Sequence, residues 1–377
     1  MRTGTLFLAA GMAALMLSTA CGGDSSPTTP AALNATLTAP TLQAPSANQQ
    51  LDTLRPTLSV GNVTSSVAGT RTYEFQISDT TSFTSALTSH ITGFAATISQ
   101  GGVAEGSGGT TSFTLGTDLQ PTTVFFWRAR AVQGSSTGPW SESKQFRSKL
   151  MGFMRAGELY DPLIHGETVG ERVGATTFVT GRGLRLENGQ SFVRYRLPQT
   201  IINGEFSMDV EGLRANAPGD KAKVFGMQEG DGDFITNEYR IDIQYRGTTG
   251  VPPNSIQWRV IYGYADDLNF RYEPDTAKRF ASVFNLVPTT TYHWKFTWGS
   301  TVRLTMIENG LGGNTLYDFG LTASRGEYDP NPHVAYLGAP VGRSGGESAS
   351  IAGTIYRNVW LANRPRPTTL GSALEIR

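Results

Sequence analysis

One stretch constrains this chain more than any other. Asn237-Glu238-Tyr239-Arg240-Ile241-Asp242-Ile243-Gln244-Tyr245 alternates without a break. Successive side chains of a strand point to opposite sides. Tyr239, Ile241, Ile243 and Tyr245 therefore share one face, and Arg240, Asp242 and Gln244 share the other. The first face is apolar enough to pack on a second sheet. The second is a row of groups able to hydrogen-bond something polar and flat. The pattern predicts stacked sheets, and it fits both a ligand-facing surface and an ordinary half-exposed strand.

Composition extends this to the whole chain. At 377 residues the chain suits two domains plus extensions. It has 44 Gly, 19 Pro and 10% aromatic residues, and many short Thr/Val/Tyr-rich runs, which predicts an all-β protein. Lys+Arg and Asp+Glu balance at 31 each, so no nucleic-acid or anionic-surface partner is expected.

The single cysteine, Cys21, bears on address. Arg2, an apolar run from Leu6 to Leu17 and then Ser18-Thr19-Ala20-Cys21-Gly22-Gly23 describe an export signal too short to span a bilayer. Ending on a lone Cys, residues 1–21 resemble a bacterial lipoprotein signal, although Ser18 stands where such signals usually have Leu. The resemblance implies lipidation at Cys21, a membrane anchor and a place in the bacterial cell envelope. With no second Cys, no intrachain disulfide is expected. Residues 22–39 are small, polar and Pro-bearing and read as a flexible tether.

From residue 40 to 148 short strands follow one another: Thr57-Leu58-Ser59-Val60, Tyr73-Glu74-Phe75-Gln76-Ile77-Ser78, Thr111–Leu115 and Val124–Ala131. Gly138-Pro139-Trp140-Ser141 and a last strand to Phe146 complete the series. Roughly seven strands in about 110 residues is the size of an immunoglobulin-like sandwich. The aromatic strand Trp127-Arg128-Ala129-Arg130-Ala131, the Gly turn and Pro139-Trp140-Ser141 resemble bacterial fibronectin type III domains, with Phe125 where that family usually has a Tyr.

Residues 155–365 carry ten or more further β signals and no helical period, which fits one large sandwich. Tyr292-His293-Trp294-Lys295-Phe296-Thr297-Trp298, the following Val302–Glu308, and Tyr356-Arg357-Asn358-Val359-Trp360-Leu361 resemble paired and closing strands of the concanavalin A-like lectin/glucanase superfamily. That implies a jelly roll with a concave face able to hold carbohydrate.

Jelly-roll glycosidases of the laminarinase/lichenase kind carry Glu, Asp and Glu at alternate positions of one strand. The corresponding register here holds Arg240, Asp242 and Gln244, of which only the middle one is a carboxylate. A guanidinium is no nucleophile and an amide no proton donor, so this register does not support double-displacement hydrolysis. Glu238 with Asp242 is another pairing. Tyr239, Tyr245, His293, Lys295, Arg240 and Arg259 supply residue types that a polysaccharide lyase needs, without its signatures.

Glycan binding asks only for aromatic faces and planar polar groups. Trp258, Tyr262 and Tyr264 alternate on one strand, and Phe270 and Tyr272 follow in a loop. Gln228-Glu229-Gly230-Asp231-Gly232-Asp233 has the small-and-acidic make-up of a calcium loop, making Asp231 and Asp233 candidate ligands of a structural Ca²⁺; no other cofactor is indicated. The four histidines lack transition-metal spacing. The sequence thus predicts an envelope lipoprotein with a fibronectin type III-like sandwich followed by a concanavalin A-like jelly roll. It binds polysaccharide without turnover through Arg240, Asp242 and Gln244, with Trp258 or Tyr272 stacking. A polysaccharide lyase or glycosidase on the same fold, and a structural adhesion protein with that row buried, are the alternatives.

Overall fold

The computed structural model describes residues 34–84, 93–219, 221–229, 239–250, 252–262, 270–272, 285–322, 332–339 and 349–370. Regular structure among them is β, apart from one three-residue helical turn at Ser107–Gly109. The protein is all-β.

The first sandwich contains β1 (Leu42–Ala44), β2 (Gln49–Gln50), β3 (Thr57–Gly61), β4 (Thr72–Ser78), β5 (Thr97–Ala104), β6 (Thr110–Thr114), β7 (Val124–Gln133), β8 (Ser136–Thr137) and β9 (Lys144–Arg147). A three-stranded sheet runs β1-β3-β6, and a second runs β2-β9-β7-β4-β5 with β8 paired to β7. Alternation selects the core: Tyr73, Phe75 and Ile77 of β4 meet Phe125, Trp127, Ala129 and Ala131 of β7 inside. Phe125 stacks on Phe146 with centroids 5.9 Å apart. A tyrosine tie is supplied elsewhere, by Tyr73, whose hydroxyl accepts from the Val63 N–H at 2.8 Å and donates to Glu105 at 3.1 Å.

The second sandwich begins with β10 (Phe153–Arg155), β11 (Glu158–Asp161), β12 (Glu171–Val173), β13 (Thr176–Val179), β14 (Gly183–Leu186), β15 (Phe192–Arg196), β16 (Gly204–Glu211) and β17 (Ala222–Gln228). It continues with β18 (Tyr239–Arg246), β19 (Ser255–Tyr262), β20 (Phe270–Tyr272), β21 (Tyr292–Trp298), β22 (Thr301–Glu308), β23 (Asn314–Thr322), β24 (Val334–Gly338) and β25 (Ile355–Ala362). The segment 153–161 contributes the first two strands of this unit. One sheet has nine strands, β10-β11-β25-β16-β21-β22-β23 with the β13–β14 hairpin joined to β25. The other has seven, β12-β15-β24-β17-β18-β19-β20. The chain crosses repeatedly between the sheets, which makes a jelly roll.

The core lies between these two sheets. Phe206 of β16 and Trp294 and Phe296 of β21 face Phe225 of β17, Ile243 of β18 and Trp258 of β19. Edge-to-face contacts run from Phe206 to Phe225 (5.4 Å) and from Phe225 to Trp294 (6.0 Å), the geometry that ring quadrupoles favour. A β-bulge between Lys223 and Phe225 shifts the β17–β18 register. It turns both Val224 and Phe225 inward and leaves Lys223 opposite Gln244 on the outer side.

Among the described residues the two sandwiches meet at more than one place. Phe94 of the first meets Phe153 of the second at 5.5 Å, beside a small cluster of Tyr160, Trp360, Ala362 and Leu370. After β25 the chain returns to the first sandwich. Leu370 forms an isolated bridge with Thr123, and the Thr369 hydroxyl donates to Asp79 at 3.2 Å.

Candidate functional site

Strand β18 alternates as its sequence demands. Ile241, Ile243 and Tyr245 lie in the core, so Asp242 and Gln244 point from the opposite face of the seven-stranded sheet. Cross-strand register then decides their neighbours. Gln244 stands between Lys223 of β17 and Gln257 of β19, while Asp242 stands between Gly226 and Arg259.

These groups are bonded to one another. Lys223 Nζ donates to Gln244 Oε1 at 2.6 Å and lies 3.4 Å from Asp242 Oδ1. Gln244 Nε2 in turn donates to Gln257 Oε1. Asp242 and Gln244 are 0% exposed, Lys223 1% and Gln257 3%, although none of them faces the other sheet. An ammonium, a carboxylate and two amides so form one contiguous set across three strands. Beside them, Tyr336 of β24 lies over Gly226: a methyl group built there would come within 2.2 Å of the Tyr336 hydroxyl. Glycine at 226 therefore leaves room for the ring, which is itself fully buried.

The structure places Asp242 and Gln244 on one face of β18, out of solvent, with Lys223 and Gln257 beside them. Trp258 is a correction. It pairs with Ile243 and so falls on the core side, 0% exposed, with its indole N–H donated to the Tyr317 hydroxyl at 2.8 Å. Surrounded by Phe296 and Phe319, it has no face for a sugar. Arg240 and Tyr272 lie in β18 and β20, but their side chains, with those of Tyr239, Arg259, Tyr262 and Phe270, lie outside the described residues. Cys21, Asp231, Asp233, Glu238 and Tyr264 lie outside them altogether.

Among the described side chains, the residue types offered for a lyase do not converge. Tyr245 is in the core of β18. His293 and Lys295 alternate with the core residues Trp294 and Phe296 of β21, and so stand on the outer face of the other sheet. Strands β17, β18 and β19 carry one carboxylate between them, Asp242, with Lys223 beside it. A two-carboxylate glycosidase needs a second at a fixed separation. Among the described residues no group of three or more His, Cys, Asp or Glu is arranged to hold a metal ion.

Lys223 carries no readable signal in the sequence, because Lys223-Val224-Phe225 breaks alternation at the bulge. Gln257 had a usable signal: it alternates with Ile256 and Trp258, as Gln244 does with Ile243 and Tyr245.

Fold and site together define a two-sandwich, all-β protein with a polar set on the outer face of its larger unit. No family model and no curated protein matches the chain. Among solved structures it is similar to a double mutant of the alginate lyase Aly36B in complex with alginate trisaccharide. That match is 15% identical over 55% of this chain and 98% of that one, with a TM-score of 0.34. It is also similar to the VIP36 exoplasmic/lumenal domain in its Ca²⁺/mannose-bound form, at 12% identity over 55% and 88% of the two chains, TM-score 0.33. A third likeness is to the FN1–FN3 domains of chicken CNTN1, 10% identical over 76% and 68%, TM-score 0.18.

Proposed function

We propose that this chain is an exported envelope protein, held to a membrane by lipid at Cys21, that binds extracellular carbohydrate on the outer face of its seven-stranded sheet and does not cleave it. The observation that carries the reading is the contiguous set Lys223, Asp242, Gln244 and Gln257, placed off the core on three adjacent strands. Planar amides and a carboxylate match the paired donors and acceptors of vicinal hydroxyls, and sugar sites are built from few such groups held rigidly. Their burial means that a sugar would replace contacts already made on this face.

That burial also favours a second reading. A closed polar network that fixes strand register serves a structural or adhesive protein without any sugar.

One experiment separates the two. The full chain, with Gln244→Ala and Gln257→Ala beside it, is run through affinity gels containing soluble polysaccharides, and new reducing or unsaturated ends are assayed. Binding predicts retardation that both variants lose while still folded, with no new ends. Retardation of nothing, with both variants melting well below the parent, sinks the binding reading and supports the structural one. New ends overturn the claim that the sugar is not cleaved.

A further inference from the structure

A separate cleft opens on the outer face of the nine-stranded sheet, with a volume of about 470 Å³. Its walls come from the β13–β14 turn (Arg182), β16 (Asp209, Glu211), the β22–β23 turn and β25 with the segment after it (Arg357, Arg366). Three guanidinium groups therefore face two carboxylates.

Both carboxylates are already engaged. Asp209 accepts from His293 Nδ1–H and from Asn358 Nδ2, each at 2.8 Å. Glu211 accepts from Arg182, and its Oε2 lies 3.6 Å from Arg357 Nη1. Arg366 is different. Its Nη2 donates to the Leu370 carbonyl at 2.8 Å, but its buried Nε and Nη1 have no hydrogen-bond partner among the described residues. Buried guanidinium donors without partners are rare in folded proteins, and an oxyanion is the partner their fork geometry fits.

The size and the remaining lining narrow the ligand. A cleft of this volume lies in the range of about 300–1,000 Å³ typical of small-molecule sites, larger than a bare anion requires. Thr289, Thr291 and Asn309 supply neutral partners for hydroxyls, and Leu311, 50% exposed at the rim, supplies an apolar contact.

We propose that this cleft is a second binding site, independent of the seven-stranded sheet, for an acidic sugar residue whose carboxylate is met by Arg357 and Arg366. It needs no contribution from Gln244 or Gln257.

The test is calorimetric titration of the full chain with methyl glucuronide, methyl glucoside and inorganic sulfate. The expected result is glucuronide binding about tenfold or more tighter than glucoside, weakening with salt. Arg366→Gln and Arg357→Gln should each lower that affinity about tenfold, while Arg55→Gln, at an exposed arginine of the first sandwich, leaves it unchanged. Equal binding of glucuronide and glucoside, or of neither, overturns the proposal. Sulfate binding as tightly as glucuronide overturns its sugar component. Should Arg366→Gln fail to fold, Arg357→Gln decides: unchanged glucuronide affinity in that folded variant refutes the assignment. Failure here leaves binding on the other sheet untouched, because the two sites share no residue.

Discussion

Lys223 and Asp242 meet across β17 and β18 at 3.4 Å, both out of solvent, on the side of the sheet that the core does not touch. Two charges withdrawn from water each draw part of their compensation from the other. Lys223→Met leaves Asp242 buried without that cation and should destabilise the second sandwich by about 3–5 kcal/mol. Lys223→Met with Asp242→Leu should recover most of the loss. Urea unfolding of the single and double variants measures the coupling; equal losses in both would mean that the pair is not interdependent.

Asp161 sets a pH dependence with an unusual sign. Burial pushes its carboxyl up to about 6 from the ordinary 3.8, against hydrogen bonds from Thr168, Tyr195 and the Val169 and Leu163 amides. A raised folded value means stability is fully present below about pH 4 and falls as pH rises through 6. The total loss amounts to roughly 3 kcal/mol. Urea midpoints collected from pH 4 to 7 should decline over that window in the parent and stay flat in Asp161→Asn.

Asp209 behaves in the opposite way. Burial pushes it up, but the His293 hydrogen bond, the Arg366 charge and the Asn358 amide more than reverse this and hold it at about 2. Its contribution, about 2 kcal/mol, is present above pH 4 and lost as pH falls toward 2. Asp209→Asn should therefore be less stable than the parent at neutral pH, with the gap closing in acid. A constant gap down to pH 2 would contradict the assignment.

On the first sandwich, Trp140 is flanked by two guanidinium groups, Arg128 at 4.5 Å and Arg130 at 4.4 Å from its ring. Burial and the Arg130 charge lower the Arg128 pKa, so the indole face offsets a like-charge pair. Trp140→Ala should lower stability by about 1–3 kcal/mol, and Trp140→Phe by less, in thermal unfolding.

Local alternation made much of the fold legible. Tyr73-Glu74-Phe75-Gln76-Ile77 and Ile241-Asp242-Ile243-Gln244-Tyr245 bury their apolar halves as the pattern demands, because side-chain direction in a strand is a nearest-neighbour property. What alternation cannot carry is which side of a strand ends up inside. Trp258 looked like a ligand platform until its pairing with Ile243 put it in the core. Lys223 was hidden by a bulge, which breaks the period that makes strands readable. The cleft was harder still. Arg182, Asp209, Arg357 and Arg366 come from positions spread over the whole second sandwich, and no local pattern links them.

The chain leaves the first sandwich after β9 and comes back to it at Thr369 and Leu370. Mechanically, the larger unit is clasped at both ends rather than hung from a single thread. Load entering through the first sandwich passes along the β9–β10 link and also through the Phe94–Phe153 contact and the Leu370–Thr123 bridge. A swivel at the β9–β10 link would have to undo the far clasp as well, so the two units should reorient together.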